Sequence, residues 1–199
     1  MPELPEVQAL VAFLADRLGG AAVTGVELGS VSVLKTFTPP PEALVGAPVT
    51  AVARHGKFID IDCGGTHLVF HLARAGWLRW HDAIPATRIR PGKSPIALRV
   101  RLDDGSGFDL TEAGTKKRLA AYVVHTVSDV PGIVTLGPDP LAPEFTREVF
   151  AGLLAGQRVQ LKGLLRSQGV IAGIGNAYSD EILHVARLSP FVLAAKLSD

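Results

Sequence analysis

The N-terminal residues Met1-Pro2-Glu3-Leu4-Pro5-Glu6 place an amine and two carboxylates close together in the chain. A methionine followed by proline is normally removed, which would leave the secondary amine of Pro2 as the N-terminus. An α-amino group titrates at about 7.7–8.0, so a useful fraction is uncharged and nucleophilic at neutral pH. Attack of a secondary amine on a sugar C1′ carbon gives an iminium ion, an electron sink that supports departure of a base and later elimination. Glu3 and Glu6 could move the protons that such steps require.

The same string also suits the start of a helix, and both interpretations are open on these residues alone. Proline is favoured in the first turn of a helix, and glutamate is stabilised by the positive end of the helix dipole. Gly19-Gly20 supply a stop after an apolar stripe at helical spacing. The stripe consists of Val7, Leu10, Val11, Leu14 and Leu18. The sequence therefore predicts a first helix that ends near Gly19.

The composition limits the classes of partner. The 199 residues include 20 Lys and Arg against 19 Asp and Glu, so a nucleic-acid partner has to be argued from where the charges lie. No apolar run is long enough to span a bilayer, and two acidic residues near the N-terminus argue against a signal peptide. We therefore expect a cytoplasmic protein with no membrane partner. Two segments are rich in basic residues: 54–101, with Arg54, Lys57, Arg74, Arg79, Arg88, Arg90, Lys93, Arg99 and Arg101, and 158–166, with Arg158, Lys162 and Arg166.

The cysteine and histidine content argues against a metal site. A lone Cys63 excludes an internal disulfide and any zinc site made of several cysteines. The histidines His55, His67, His71 and His81 lack a recognised metal-ligand spacing. We expect them to lie on a polar face or to face a nucleic acid.

The spacing of apolar runs predicts an α+β protein. Short strand-like runs separated by polar turns follow the first helix, which favours an antiparallel β-sandwich. From about Ser128 a stretch rich in proline and glycine indicates a linker, and helical patterns follow, the first capped by Thr146. We predict an N-terminal domain at 1–127, a linker at 128–145 and a helical domain at 146–199. The predicted strands are 22–28, 49–54, 57–63, 67–72, 96–102, 107–111 and 119–125, and the predicted helices after Thr146 include 159–166 and 177–186.

A glycine-rich turn, Gly173-Ile174-Gly175-Asn176, separates the last two predicted helices. Glycines permit positive φ and close approach of another molecule's backbone. Asn176 could cap the following helix, and the free amides at that helix start would suit a phosphate, which Lys162 could also reach. A tight helix–helix turn that needs glycine for steric reasons alone is the alternative.

The string Gln168–Leu183, which contains this turn, strongly resembles the helix-two-turns-helix signature of the formamidopyrimidine-DNA glycosylase and endonuclease VIII family. That family also begins with the string found here at Pro2–Val7. The resemblance covers nearly the whole chain up to Pro190. It implies an N-terminal helix with an antiparallel β-sandwich domain, followed by a helix-two-turns-helix all-α domain, with damaged double-stranded DNA bound in the cleft between them.

The resemblance also implies roles for individual residues. Pro2 would be the Schiff-base nucleophile, Glu3 the acid that protonates the sugar, and Glu6 a support for that centre. Lys57, in the turn Arg54–Phe58, would bind a phosphate and assist elimination. Further DNA contacts would come from His71 and Arg74, from Lys116, Lys117 and Arg118, and from Lys162, Gly175, Asn176 and Tyr178.

Two departures from the family pattern concern base recognition and the C-terminus. Arg74 stands where the family has a methionine wedge, and the stretch 111–118 has no phenylalanine wedge. The four-cysteine zinc finger that family members usually carry after the helical domain is absent, so we expect a shortened chain with no zinc or other cofactor. The leading hypothesis is a monomeric base-excision-repair glycosylase that removes oxidised bases and cleaves abasic sites by β-elimination. The alternative is a non-catalytic, damaged-DNA-binding remnant of the family.

Overall fold

The computed structural model describes residues 1–92 and 94–197. The first helix, α1 (Leu4–Leu18), starts at Glu3 and carries Pro5 in its first turn. Its apolar stripe is buried against the strand at 49–55. The predicted helix is therefore confirmed. None of the helices in the described ranges combines the length and apolar character needed to cross a bilayer.

Within residues 1–92 and 94–197, eight antiparallel strands form two four-stranded sheets, which confirms the predicted α+β class. One sheet has the order β1-β6-β7-β5 and the other β2-β3-β4-β8. The strands are β1 (Val23–Leu28), β2 (Val49–His55), β3 (Phe58–Cys63), β4 (Thr66–His71), β5 (Gly76–His81), β6 (Ile96–Leu102), β7 (Gly107–Glu112) and β8 (Ala120–Val124).

The edge strand β5 is not among the predicted strands. It pairs with β7, and its side chains alternate, with Leu78 and Trp80 towards the core and Trp77 and Arg79 exposed. The residues just before β5 are interpreted as a loop from the sequence, and that interpretation conceals the alternation of exposed and core-facing side chains in the strand itself. The alternation marks β5 as half-buried.

The strand register brings several connections to one end of the sandwich. Phe58 pairs with His71 and His71 with Ala120, while Gly76 pairs with Glu112. This end therefore carries the β2–β3 turn, the β4–β5 and β7–β8 connections and the start of β6. We call it the basic end, because its connections hold Lys35, Lys57, Arg74, Lys116, Lys117 and Arg118. The opposite end carries Asp62, Asp82, Asp103 and Asp104.

The residues after the sandwich form a second lobe with its own core. The helices are α2 (Pro131–Val134), α3 (Arg147–Leu154), α4 (Leu161–Leu165) and α5 (Asn176–Val185), and the core around α3 to α5 is separate from the sandwich core. The Thr146 cap is confirmed, since its Oγ1 accepts a hydrogen bond from Val149 N at 3.3 Å. Between the lobes, Val130 packs on Val69 and Val124 of the second sheet. The predicted domain limits stay a prediction.

Several basic residues of the segment 54–101 belong to internal ion pairs and do not form a DNA-facing surface. Arg99 is buried and binds both carboxylate oxygens of Asp109, at 2.7 and 2.9 Å. Burial opposes the charged form of Asp109, but the hydrogen bonds and charge of Arg99 outweigh it and hold the Asp109 pKa below its ordinary value. Arg54 binds Asp139 at 2.5 Å, and Arg101 binds Glu27 at 2.6 Å. Lys93 lies outside the described residues.

Of the four histidines between residues 55 and 81, three also contact buried carboxylates. His55 and His67 flank Asp60 at 3.3 and 2.9 Å, and His81 contacts Asp109 at 3.0 Å. These three lie on polar outer faces of the sheets, whereas His71 lines a cleft. The described residues contain no group of three or more metal-binding side chains.

Candidate active site at the junction of the lobes

The carboxylate of Glu3 caps helix α5 of the other lobe. Its oxygens accept hydrogen bonds from the backbone N–H groups of Gly175 at 2.7 Å, Ala177 at 2.9 Å and Tyr178 at 3.1 Å. These are orphan donors at the positive end of the helix, where a carboxylate is favoured. Glu3 is only 4% exposed, and its carboxylate connects the start of α1 to the start of α5. We call this contact the Glu3 joint.

This contact corrects two predictions made from local sequence. Asn176 does not cap α5, because it is the first residue of the helix and its side chain is exposed, while Gly175 holds the cap position. The α5 amides of Gly175, Ala177 and Tyr178 are also not free for a phosphate, because Glu3 already binds them. Gly175 is buried beside Glu3 and Lys57, and its predicted DNA contact stays a prediction.

The glycines of the turn 173–175 are required by the closeness of the two lobes. Gly173 has φ +87°, and a methyl group there would lie 2.7 Å from Leu4 Cδ1. At Gly175 a methyl group would lie 2.4 Å from Glu3 Cδ and 2.8 Å from Lys57 Nζ. Both side chains at Gly175 are held by hydrogen bonds, and moving either of them away would break those bonds. The groups that approach these glycines in the structure are therefore side chains of this chain, and an approach by another molecule's backbone stays a prediction.

Replacing Gly175 by alanine should destabilise the fold and disturb the site together. We expect a loss of about 1–3 kcal/mol in the free energy of unfolding, because the added methyl overpacks a buried polar joint. Denaturant unfolding of Gly175→Ala measures this loss. The matched control is Gly152→Ala in α3, where nothing lies within 4 Å of the new methyl. This control should gain about 0.5–1 kcal/mol from helix propensity, and an equal response of both variants would contradict the prediction.

Lys57 reaches across the junction from the β2–β3 turn. The turn is formed by Gly56 at φ +56°, and the Lys57 ammonium donates to the Ile174 carbonyl at 2.9 Å. Burial lowers the Lys57 pKa from its ordinary value, the Glu3 carboxylate opposes this shift, and the Arg166 charge adds to it. The ammonium is therefore held beside Glu3 in a desolvated position.

Gln168 is part of the site although it is not among the predicted site residues. Its Nε2 donates to the Ile174 carbonyl at 2.6 Å, and its Oε1 accepts from Gly173 N at 3.0 Å. Gln168 and Lys57 thus share one carbonyl acceptor, and Gln168 fixes the turn that carries it. No local pattern could show this, because only the tight turn brings residue 168 back to residues 173 and 174.

Glu6 links α1 to α5 on the exposed side of the joint. Its Oε2 accepts from Glu3 N at 2.9 Å, and its Oε1 accepts from the Tyr178 hydroxyl at 3.1 Å. The hydrogen bond to Glu6 raises the Tyr178 pKa. Pro2 is half-buried. Glu3, Glu6, Lys57, Gly175 and Tyr178 are brought together at the start of α1, which directly follows Pro2 in the chain.

A cleft of about 400 Å³ opens between the lobes next to this network. Burial, and then the charge of Lys57, lower the His71 pKa to about 4, so its imidazole is neutral at neutral pH. Its Nδ1 accepts from Ala73 N at 3.0 Å, which leaves Nε2 to carry the hydrogen as a donor. The cleft is lined by Met1, Lys57, Phe58, His71, Gly132, Thr135, Leu136 and Gln168.

The other predicted DNA contacts lie outside this cleft lining. Arg74 is exposed in the β4–β5 connection, and Lys116, Lys117 and Arg118 are exposed in the β7–β8 connection. Buried Glu112 fixes the second connection, since its Oε1 accepts from Arg118 N at 2.7 Å and Leu119 N at 3.1 Å. Lys162, on the helical lobe, forms an ion pair with Asp180 at 2.6 Å.

Two sequence profiles together match most of the chain. Residues 1–119 match the formamidopyrimidine-DNA glycosylase N-terminal domain, and residues 136–199 match the formamidopyrimidine-DNA glycosylase H2TH domain. The chain belongs to the formamidopyrimidine-DNA glycosylase family. The resemblance found in the N-terminal string and the glycine turn is thereby confirmed.

Relatives and solved structures of this family agree with the fold. Formamidopyrimidine-DNA glycosylases of Desulforamulus reducens and Moorella thermoacetica are each 33% identical over the whole chain, which spans 71% and 72% of their lengths. Lactococcus lactis formamidopyrimidine-DNA glycosylase bound non-covalently to DNA with an abasic site is 25% identical with TM-score 0.85, covering 98% of this chain and 74% of that one. The same enzyme with DNA containing Fapy-dG is 24% identical with TM-score 0.85, covering 99% and 73%.

Proposed function

We propose that this chain is a DNA glycosylase of base-excision repair that also acts as an abasic-site lyase, with the Pro2 nitrogen as nucleophile once Met1 is removed. The observation that carries the proposal is that the Lys57 ammonium lines the interlobe cleft together with Met1, the residue before Pro2, and lies beside the Glu3 carboxylate. The substrate would be damaged double-stranded DNA, as in the solved relatives. A monomeric state, a cytoplasmic location and the lack of a cofactor stay predictions.

The proposed chemistry begins with a new bond between the Pro2 nitrogen and C1′ of the damaged nucleotide. The Glu3 carboxylate accepts the proton that the Pro2 nitrogen loses on attack, the C1′–N bond to the base breaks, and the base leaves with the electron pair and takes a proton from water. The sugar ring then opens as Glu3 passes its proton to O4′, and the nitrogen lone pair forms the iminium ion. The carboxylate that Glu3 regains is stabilised by its three N–H donors.

The second step is elimination at the opened sugar. Loss of a C2′ proton from the iminium species pushes an electron pair towards C3′, and the 3′-phosphate departs with the C3′–O pair. Lys57 is placed to neutralise charge on a neighbouring phosphate, and the neutral His71 can donate from Nε2. Water then hydrolyses the iminium bond and restores the Pro2 amine. Arg74 and Lys116, Lys117 and Arg118 are proposed to contact the flanking DNA.

The proposal is tested by incision of end-labelled duplexes that contain a single abasic site or a single Fapy-dG. We expect a nick at the lesion in both duplexes, and none in the undamaged duplex of the same sequence, because the reaction requires access to C1′ of a displaced nucleotide. Binding of the damaged duplex without any nick, at every excess of protein over DNA, would contradict the proposed enzyme activity. That result would instead support a damaged-DNA-binding protein.

A further inference from the structure

A groove at the basic end of the sandwich is not part of the interlobe cleft. It consists of two adjoining cavities, of about 80 Å³ and about 410 Å³, which share the wall Ser94-Pro95-Ile96. The smaller cavity lies between Lys35 and Lys117 and is also lined by serine side chains. The larger one is lined by the stretch 87–90, including Arg88 and Arg90. We call these two cavities the cationic groove.

The stretch that carries Arg88 and Arg90 is held in place by internal charges. Arg99 Nη1 donates to the Pro85 carbonyl at 3.3 Å and to the Thr87 carbonyl at 3.0 Å. Glu27 Oε2 accepts from Ile89 N at 3.1 Å. Arg88 and Arg90 are exposed on either side of half-buried Ile89. The main chain is therefore fixed before any ligand binds, which lowers the ordering cost of binding through these two guanidinium groups.

The charges of the groove are positive and lack acidic partners. Within the described ranges, no carboxylate lies at ion-pair distance from Lys35, Lys117, Arg88 or Arg90. The two lysine ammonium groups instead donate to backbone carbonyls, of Ser32 and Glu112. Among the residues that the structure describes, Glu112 is the one acidic residue that lines either cavity. The Glu112 Oε1 already accepts hydrogen bonds from two backbone amides of the β7–β8 connection. An anion in the groove would therefore meet mainly hydrogen-bond donors.

We propose that the cationic groove binds phosphates of the DNA strand that continues beyond the interlobe cleft. This inference rests on the proposed function. The small cavity, with two lysines and the hydroxyls of Ser30, Ser32 and Ser94, suits a single phosphate group, and the larger one continues the same path. The small cavity lies at the end of the sandwich that carries the Lys57 turn and the β7–β8 connection, and the larger one runs from the start of β6 along the outer face of its sheet to Arg99. A strand leaving the cleft along that end would pass from one cation pair to the other.

The test is the salt dependence of binding to a duplex with a central tetrahydrofuran abasic analogue and long flanks, measured by fluorescence anisotropy. For the double variant Arg88→Ser and Arg90→Ser, the slope of log K against log salt should fall by about 0.9 for each phosphate that is no longer neutralised, hence by about 2. The double variant Arg88→Lys and Arg90→Lys keeps the charge and should keep most of the slope. Arg17 lies in the last turn of α1, at the end of the sandwich opposite the basic end, so Arg17→Ser should leave the slope unchanged.

An unchanged slope in the double serine variant, or an equal fall in Arg17→Ser, would overturn the proposal. Thermal unfolding of each variant shows that a lower slope does not arise from a lost fold. Incision by the unaltered chain is measured separately. If the unaltered chain cuts DNA but the slope does not change in the double serine variant, only the proposal of the groove is wrong. If the slope changes but the unaltered chain never cuts, only the proposed reaction is wrong.

Discussion

Blocking the N-terminus should abolish the covalent complex that borohydride traps between this chain and abasic-site DNA. The chain that begins at Pro2 should be trapped, because the secondary amine forms an iminium ion with C1′ that borohydride reduces to a stable amine. A chain with an uncleaved N-terminal extension holds the Pro2 nitrogen in an amide, whose lone pair is not available for attack. Denaturing gels of the reduced mixture, with intact mass to establish the N-terminal residue, measure the difference.

A second variant separates the nucleophile from a general loss of structure. Pro2→Gly provides a primary amine at the same place and should give less adduct, while it leaves the Glu3 and Lys57 contacts intact. The chain with the extension should still bind the tetrahydrofuran duplex, because its basic end is unaltered. Trapping of the blocked chain at the level of the processed one would mean that another amine, such as the Lys57 ammonium, attacks the sugar.

Glu3→Gln should slow strand incision by about 10²–10⁴-fold, the usual size of an acid–base contribution. The glutamine amide cannot protonate O4′, and its NH₂ group would face at least one of the three backbone donors that the carboxylate now accepts. We therefore also expect a loss of about 1–3 kcal/mol in the free energy of unfolding, because one buried donor at the α5 start is left without an acceptor. Single-turnover incision and denaturant unfolding measure the two effects.

Glu6→Gln is the matched control for Glu3→Gln. Glu6 lies on the same turn of α1, but it accepts only from Glu3 N and the Tyr178 hydroxyl and does not cap α5. Its loss in rate should be clearly smaller than that of Glu3→Gln. Equal rates for Glu3→Gln and the unaltered chain, with the fold intact, would show that the proton comes from another group.

Patterns of apolar residues were sufficient to predict the elements that hold the site. The stripe from Val7 to Leu18 predicts α1, and the short runs between glycine and proline turns predict all of the sandwich except β5. These features depend on local spacing, which burial on one face dictates. The glycines at 173 and 175 are singled out for close approach of another molecule's backbone, whereas the neighbours found there are the side chains of Leu4, Glu3 and Lys57 of the same chain.

The contacts that build the site could not be predicted, because they join residues far apart in the chain. Asn176 is the expected local cap of α5, yet a charged carboxylate from the other lobe takes that role. Counting basic residues in 54–101 could not show that Arg54 and Arg99 are neutralised by Asp139 and Asp109. The role of Gln168 depends on a turn whose shape is set by the neighbouring lobe. The ion pairs and the Glu3 cap depend on tertiary electrostatics, and the Gln168 contacts depend on the tertiary packing of the turn.

The Glu3 joint has a consequence for the order of events during protein synthesis. Its amide partners lie at 175–178, so on a ribosome they appear roughly 10–35 seconds after the N-terminus, at the usual elongation rate of about 5–20 residues per second. Throughout that interval Glu3 lacks its α5 partners, so the Met1–Pro2 bond is not held at the joint. Late emergence of the helical lobe would thus leave time for the removal of Met1 that the proposed function requires, before the joint forms.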